Sequence, residues 1–333
     1  MTYILSLLDK SPIPQGSDAV EAFAQTLARV RRAEELGYHR YWLAEHHGST
    51  TLAGSAPEIL AAWALAQTKR IRIGTGGVML QHYSPFKVAE AFKLLSSLAP
   101  GRVDLGIGKA PGGLPATTRA LQARHAGDLK PDFAAQLTDL DHFLTGVIPE
   151  EHPHATARAL PEPPELPQKI LLGGSVDSAT LAARLGWQFA YAGHFDGNPE
   201  NIDASLAAYR ALTGRPALLA LFAFVADNDE AARQAVGEIK IFTVHLPNGT
   251  KVNLPSEESA RSFAAQSGFS DYRLQEKHPG VLTGTSDRVR RELGGLAERY
   301  GIQEFIIDIP VADYAARLRS IELLARASIH LAA

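Results

Sequence analysis

Short apolar runs alternate with longer amphipathic stretches along almost the whole chain. Taken in order the runs are YILSLL (3–8), RYWLA (40–44), RIRIG (70–74), RVDLGIG (102–108), KILLG (169–173), QFAYA (188–192), ALLALFAFV (217–225) and EFIIDI (304–309). Each is too short for a helix and is bounded by glycine, proline or charge, the pattern of a buried parallel strand. The stretches between them carry apolar residues at three- and four-residue steps. Val20, Phe23, Leu27 and Val30 form one such face behind Asp18, and Val88, Phe92, Leu95 and Leu98 form another behind Pro85; both begin on a helix-start residue and stop at Gly37 and at Pro100-Gly101. Four times a helix closes on a glycine and a strand follows within a few residues: AEELG before YHRYWLA, AARLG before WQFAYA, RALTG before RPALLAL, and AERYG before IQEFIID. A glycine just past a helix end keeps such connections short. Eight strands alternating with helices predict an α/β fold, a (β/α)8 TIM barrel, with residues 1–333 forming a single domain.

Two segments break the repeat and are read as insertions after strands 4 and 7. The first, Ala110 to Gln168, holds one helix (about Pro131 to Leu144) and a proline-rich connector, EEHPHATARALPEPPELPQ. The second, about Thr243 to Thr285, is polar and punctuated by NGT, NLPSEES and KHPG. Long insertions on the C-terminal side of barrel strands shape or cover a site.

Composition narrows the chemistry. The 333 residues are 45% hydrophobic and 21% charged, with a formal net charge of -3 and no basic stripe, which leaves neither nucleic acid nor an acidic membrane as a partner. The absence of cysteine removes disulfides, thiolate metal sites and a cysteine nucleophile. MTYILSLLDKSPI lacks a charged start and a long apolar segment, and no window reaches about 18 uninterrupted apolar residues, so the expected location is cytoplasmic.

The candidate chemistry lies just past the strand ends. Glu45, His46 and His47 follow the second strand, and because neighbours on an extended chain face opposite ways, only one of the two histidines can face the barrel mouth. Glu45 is read as structural, balanced by Arg40, Arg70 or Arg72. No HExxH motif or helically spaced partner accompanies the histidines, and no metal site is expected. LLGGSVDSATLAA joins a strand to a helix through two glycines and presents Ser175 and Ser178 around the helix start, where free N–H groups favour an anion; the competing reading is an ordinary Ser/Asp N-cap, with Asp177 as a local rival for that position. GIGKAPGG has the wrong spacing for a dinucleotide fingerprint and no Ser or Thr after Lys109 for a Walker loop. What remains there, and at Thr75-Gly76-Gly77, is a backbone that a flat ligand can approach, with one cation beside it.

RYWLAEHH, RIRIGTGGVMLQHYSP, LAPGRVDLGIGKAPGG, LLGGSVDSATLAARLG and LTGTSDRV…YGIQEFII, in that order, resemble the bacterial luciferase-like flavin-dependent monooxygenases, in the branch with a D-x-S-P loop after the first strand. The resemblance covers nearly the whole chain. It implies a monooxygenase that oxygenates a small organic substrate with O2 and reduced FMN, supplied by a separate NAD(P)H:flavin reductase, through a flavin C4a-peroxide kept from water by lids and a dry pocket. It makes His46 the active-site histidine, an acid/base or hydrogen-bonding group for which a near-neutral pKa would be useful. Thr75, Gly76 and Gly77 match the loop under the flavin ring, where a non-proline cis peptide is frequent. Gly108 and Lys109 match the position flanking the flavin; Gly174, Ser175, Val176 and Ser178 match the phosphate loop; Arg119 resembles an arginine that reaches the phosphate. Gln81, His82, His194 and Phe195 are the expected substrate-pocket residues. The alternatives are a deazaflavin-dependent hydride-transfer enzyme of the same superfamily and a flavin-binding protein without catalysis.

One helix points to assembly. PEILAAWALAQT carries eight consecutive apolar residues, Ile59 to Ala66, and so has no polar face. The resemblance implies a two-fold homodimer through this side, with Leu60 or Trp63 facing outward; the alternative is that the N-terminal loop or the first insertion covers the face within one chain.

Overall fold

The computed structural model describes residues 3–123, 132–195 and 197–329. Eight parallel strands close into a barrel: β1 (Ile4–Asp9), β2 (Arg40–Leu43), β3 (Arg72–Thr75), β4 (Val103–Gly108), β5 (Gln168–Gly173), β6 (Gln188–Ala192), β7 (Leu218–Val225) and β8 (Glu304–Asp308). Each pairs with the next, β7 pairs β6 on one side and β8 on the other, and β8 pairs β1 with Leu8 opposite Asp308. These are the eight runs read from the sequence. The helices expected at Asp18 and Pro85 are Ala19–Glu35, capped by the Asp18 side chain accepting from the N–H of Glu21, and Pro85–Leu98. The first insertion, expected to hold one helix, holds two among the described residues, Pro115–Leu121 and Phe133–Thr145; Pro131, the expected start of the latter, lies outside the described residues. No described helix is long and apolar enough to cross a membrane.

The strand period of two sorts side chains by parity, because every barrel strand points its even-numbered residues inward. Leu8, Trp42, Ala44, Ile170, Leu172, Ala190, Leu218, Ala220 and Ile306 pack in the lumen, while Leu7, Tyr41, Ile73, Leu105, Phe189, Leu219 and Phe305 belong to the larger core under the helices. One layer below, at the strand N-terminal ends, the lumen is closed by charge. Arg40 donates to both carboxylate oxygens of Glu304 (2.6 and 3.0 Å) and to Asp104 (2.9 Å), Asp104 accepts from Trp42 Nε1 (2.9 Å) and from Arg72 (2.8 Å), and Ser6 donates to Glu304 (2.5 Å). Each of these charges is paired, the condition for burying it at all. The mouth is therefore the open end.

The segment after β7 is more ordered than its polar sequence suggested. Strands Ile241–His245, Lys251–Leu254 and Arg273–Lys277 form a separate antiparallel sheet with the first in the middle, and helix Glu257–Gln266 packs on it through Phe263. The outer strands carry polar residues such as Lys251, Arg273 and Glu276, which hid them among turn signals. Leu114 of the first insertion packs against this small core, so the two insertions touch.

Candidate active site

The even-residue series, carried to the strand ends or up to three positions past them, delivers Lys10, His46, Gly76, Gly108, Gly174, His194 and Asp308 to the mouth. Lys10 Nζ lies 2.5 Å from Asp308 Oδ2 and over the rings of Phe222 and Phe195, at 5.1 and 5.9 Å from their centroids. His194 stacks on Phe195 (4.0 Å) and Phe222 (5.5 Å). The Nδ1 atoms of His46 and His194 are buried and have no hydrogen-bond partner among the described residues. Burial pushes both imidazoles down to about pKa 4; Lys10 lowers them further and Asp308 opposes the shift. His46 is thus not poised near neutrality, as the resemblance suggested it should be. It is a neutral ring at pH 7, with one nitrogen to donate and one to accept.

Parity also separates the two adjacent histidines. His47 turns away from the lumen onto the side chain two residues back, its Nε2 lying 2.6 Å from Glu45 Oε1. Glu45 is fully buried and accepts in addition from the Tyr83 hydroxyl (2.9 Å) and the N–H of Met79 (3.0 Å). Glu45 is structural, but its partners are these and not the arginines: Arg40 and Arg72 are held by Asp104, and Arg40 also by Glu304. Arg70 lies at the opposite, N-terminal end of its strand. Strand direction decides this, since residues 40 and 45 stand at opposite ends of one strand.

The glycine loop after β3 contains a cis peptide bond between Gly76 and Gly77, and the chain then rejoins β4 through Val78–Met79. Its need for glycine is internal. A Cβ at Gly76 would stand 2.7 Å from Leu8 Cδ1 and 3.1 Å from Trp42 Cβ, and one at Gly77 would stand 2.6 Å from the Gly106 carbonyl oxygen. The Thr75 hydroxyl is engaged by the Gly106 carbonyl (2.9 Å). Gly108 is buried beneath Met79, while Lys109 is exposed and lies over Phe133 at 5.7 Å. Gly174 faces open space, and a Cβ added there would meet nothing within 4 Å. Ser175 N-caps helix Val176–Arg184 by accepting from the N–H of Ser178 (3.3 Å), and the two hydroxyls are 3.2 Å apart. The N–H groups of Val176 and Asp177, both exposed, are left as free donors at the positive helix end.

Three expected site residues serve the loops instead of the lumen. Gln81 donates to the Ala110 carbonyl (2.9 Å), and His82 lies 2.8 Å from the Pro111 carbonyl and 3.1 Å from Gln122, so both fasten the start of the first insertion. Arg119 donates to the Gln266 carbonyl (3.0 Å), tying that insertion to the end of helix Glu257–Gln266. Lys10 and Asp308 were missed. The signal was available in D-K-S-P and EFIID, as the next inward position after Leu8 and the last inward position of β8.

On the outer side of the barrel Asp139, His142 and His152 bring potential ligand atoms within 4.8 Å of one another. His152 Nδ1 accepts from the N–H of His154 (3.1 Å), which leaves its proton on Nε2, 3.1 Å from Asp139. A metal at that nitrogen would have to break this arrangement.

A (β/α)8 barrel with buried imidazoles, an ion pair and a free helix N-terminus at the strand C-terminal ends is built as a barrel enzyme. The chain belongs to the luciferase-like monooxygenase family, whose model matches residues 1–302. It is 40% identical over 327 residues to N-acetyl-S-alkylcysteine monooxygenase of Bacillus subtilis (strain 168), covering 97% of each chain. The solved structure of apo-MsnO8 is similar at a TM-score of 0.74 and 32% identity, over 98% of this chain and 97% of that one. At lower identity the fold alone is shared with two coenzyme-dependent enzymes. One is the oxygenating constituent of 3,6-diketocamphane monooxygenase of Pseudomonas putida in complex with FMN (TM-score 0.70, 19% identity, 98% and 97% covered). The other is an F420-dependent secondary alcohol dehydrogenase (TM-score 0.67, 14% identity, 97% and 99% covered).

Proposed function

We propose that this protein is a flavin-dependent monooxygenase that receives reduced FMN from a separate NAD(P)H-dependent flavin reductase and uses O2 to oxygenate a small organic substrate. The observation that carries the reading is the pairing, at one mouth, of an uncharged His46 whose buried Nδ1 has no partner with an open helix N-terminus at Ser175. The residues present suit a flat, anionic coenzyme. Gly174, the hydroxyls of Ser175 and Ser178 and the N–H groups of Val176 and Asp177 would hold its phosphate, and the backbone at Gly76 and Gly108, at the strand C-terminal ends, would lie beside its ring. Bound there, reduced FMN would supply the electrons that activate oxygen.

The chain's own part is positional and electrostatic. His46, neutral at pH 7, offers a hydrogen bond at the reacting end without bringing a charge into it. His194, Phe195 and Phe222 form a largely apolar wall that excludes water. The ties from Arg119 to Gln266 and from His47 N–H to the Gly112 carbonyl (2.7 Å) fasten the first insertion to the end of β2 and to the second insertion. The active unit is read as a cytoplasmic homodimer formed through the apolar helix Pro57–Ala66.

The test is an anaerobic titration with reduced and with oxidised FMN, followed by admission of oxygen in the presence of thioether acids. Tighter binding of reduced FMN and a product heavier by one oxygen atom are expected. Equal or tighter binding of oxidised FMN, or oxygen-independent reduction of coenzyme F420 by an alcohol, would replace this reading.

A further inference from the structure

We infer that Lys10 seats an anionic group of the substrate, a carboxylate, at the barrel mouth, with Asp308 as the residue that positions it. The inference rests on the monooxygenase reading for what happens to the substrate, but its geometry stands apart from the flavin. Lys10 continues the inward series Ser6, Leu8 on β1, and Asp308 ends the inward series Glu304, Ile306 on β8. The two strands are neighbours, so the ammonium and the carboxylate meet across the lumen at 2.5 Å. Their exposures differ: the Asp308 side chain is 3% exposed and that of Lys10 is 23%. The carboxylate is the sealed half of the pair and the ammonium is the half that a ligand can reach.

An ammonium has three N–H donors, and one carboxylate contact does not exhaust them. Around Lys10 stand two imidazoles, His46 and His194, each neutral and each with a buried nitrogen lacking a partner. Lys10 is the cation of this group and, of the ion pair, the half that a ligand's carboxylate can reach. Phe195 and Phe222 flank the same ammonium and give the apolar remainder of the molecule a surface. Asp308 does not cancel the site. It holds the lysine's flexible stem in one conformation, so the stem is already ordered before the ligand arrives and little entropy is lost on binding.

The probes are N-acetyl-S-benzylcysteine and its methyl ester, which differ only in the charge at issue, titrated calorimetrically into the full-length parent, Lys10→Gln and Lys10→Arg. The parent is expected to bind the acid at least about tenfold more tightly than the ester, the effect of one charge-assisted contact. Lys10→Gln should lose that preference by weakening the acid alone, Lys10→Arg should keep most of it, and both variants should bind reduced FMN as the parent does. A parent that fails to bind the acid, or that does not distinguish it from the ester, overturns the assignment, as does a Lys10→Gln variant that keeps the preference. If the acid–ester preference follows Lys10 while reduced FMN does not bind, the monooxygenase reading falls and the carboxylate seat remains.

Discussion

His46 and His194 carry a cost that the fold accepts at neutral pH and not below it. Both have folded pKa values near 4 because burial disfavours the charged ring, whereas an unfolded chain would protonate them near 6.5. The unfolded state thus takes up protons that the folded state refuses. The stability each contributes is complete above pH 6.5 and is lost as pH falls toward 4, by on the order of 3 kcal/mol per ring at the limit. Urea unfolding at steps between pH 7 and pH 4.5 should show a steep decline for the parent and a shallower one for His194→Gln, which keeps a polar side chain of similar size but does not titrate. Parallel profiles would mean that His194 is solvated or paired in solution. This pair also marks how far residue-level reading reaches. That one histidine of His46-His47 faces the lumen followed from alternation alone, and which one follows once Trp42 and Ala44 are known to be interior. The depressed pKa was not legible, because it depends on Phe222, Asp308 and Lys10 arriving from other strands.

At the scale of elements the two ends of the barrel divide stability from chemistry. At the closed end Arg40 neutralises Glu304 and Asp104 inside the lumen. Replacing it with methionine keeps the bulk but strips Glu304 of its cation and Asp104 of one of two, so a loss of about 3 to 5 kcal/mol in unfolding free energy is expected, read as a fall in the urea midpoint. A change under about 1 kcal/mol would show that water or a neighbouring arginine replaces it. At the open end Ser175 has two duties, cap and candidate phosphate ligand, which the adjacent serine separates. Ser175→Ala should cost about 1 kcal/mol of stability through the lost cap, whereas Ser178→Ala leaves the cap in place. Both should weaken reduced-FMN binding, the second without a change in thermal midpoint; unaltered affinity in Ser178→Ala would leave Ser175 as a cap only. The eight strands were legible here because buried parallel strands read as continuous apolar runs. The sheet after β7 was not, since one of its faces meets solvent and its strands carry Lys251, Asn253, Arg273 and Glu276.

At the scale of the whole molecule, two adjacent helices leave large apolar side chains without a cover among the described residues. Helix Pro57–Ala66 buries Pro57, Ala61, Ala64 and Leu65 against the barrel, and Leu60 is partly buried with them. That turns Ile59 and Trp63, one helical turn apart, outward at 66% and 41% exposure. On the neighbouring helix Pro85–Leu98, Leu94 and Leu98 are exposed at 49% and 71%. Among the described residues neither the N-terminal loop nor the first insertion shields these four, which weakens the alternative of cover within one chain. Of the two residues proposed to face outward, the structure selects Trp63. Large exposed apolar side chains grouped on adjacent helices are the usual mark of an interface, and a two-fold axis beside Trp63 would bury the same patch twice. Trp63→Glu should therefore convert a dimer into a monomer in light scattering at micromolar concentration. Leu60→Glu, placed on the inner side of the same helix, should lower the thermal midpoint instead. A parent that already scatters as a monomer would remove the interface, and a Trp63→Glu protein that remains a dimer would move it to another face.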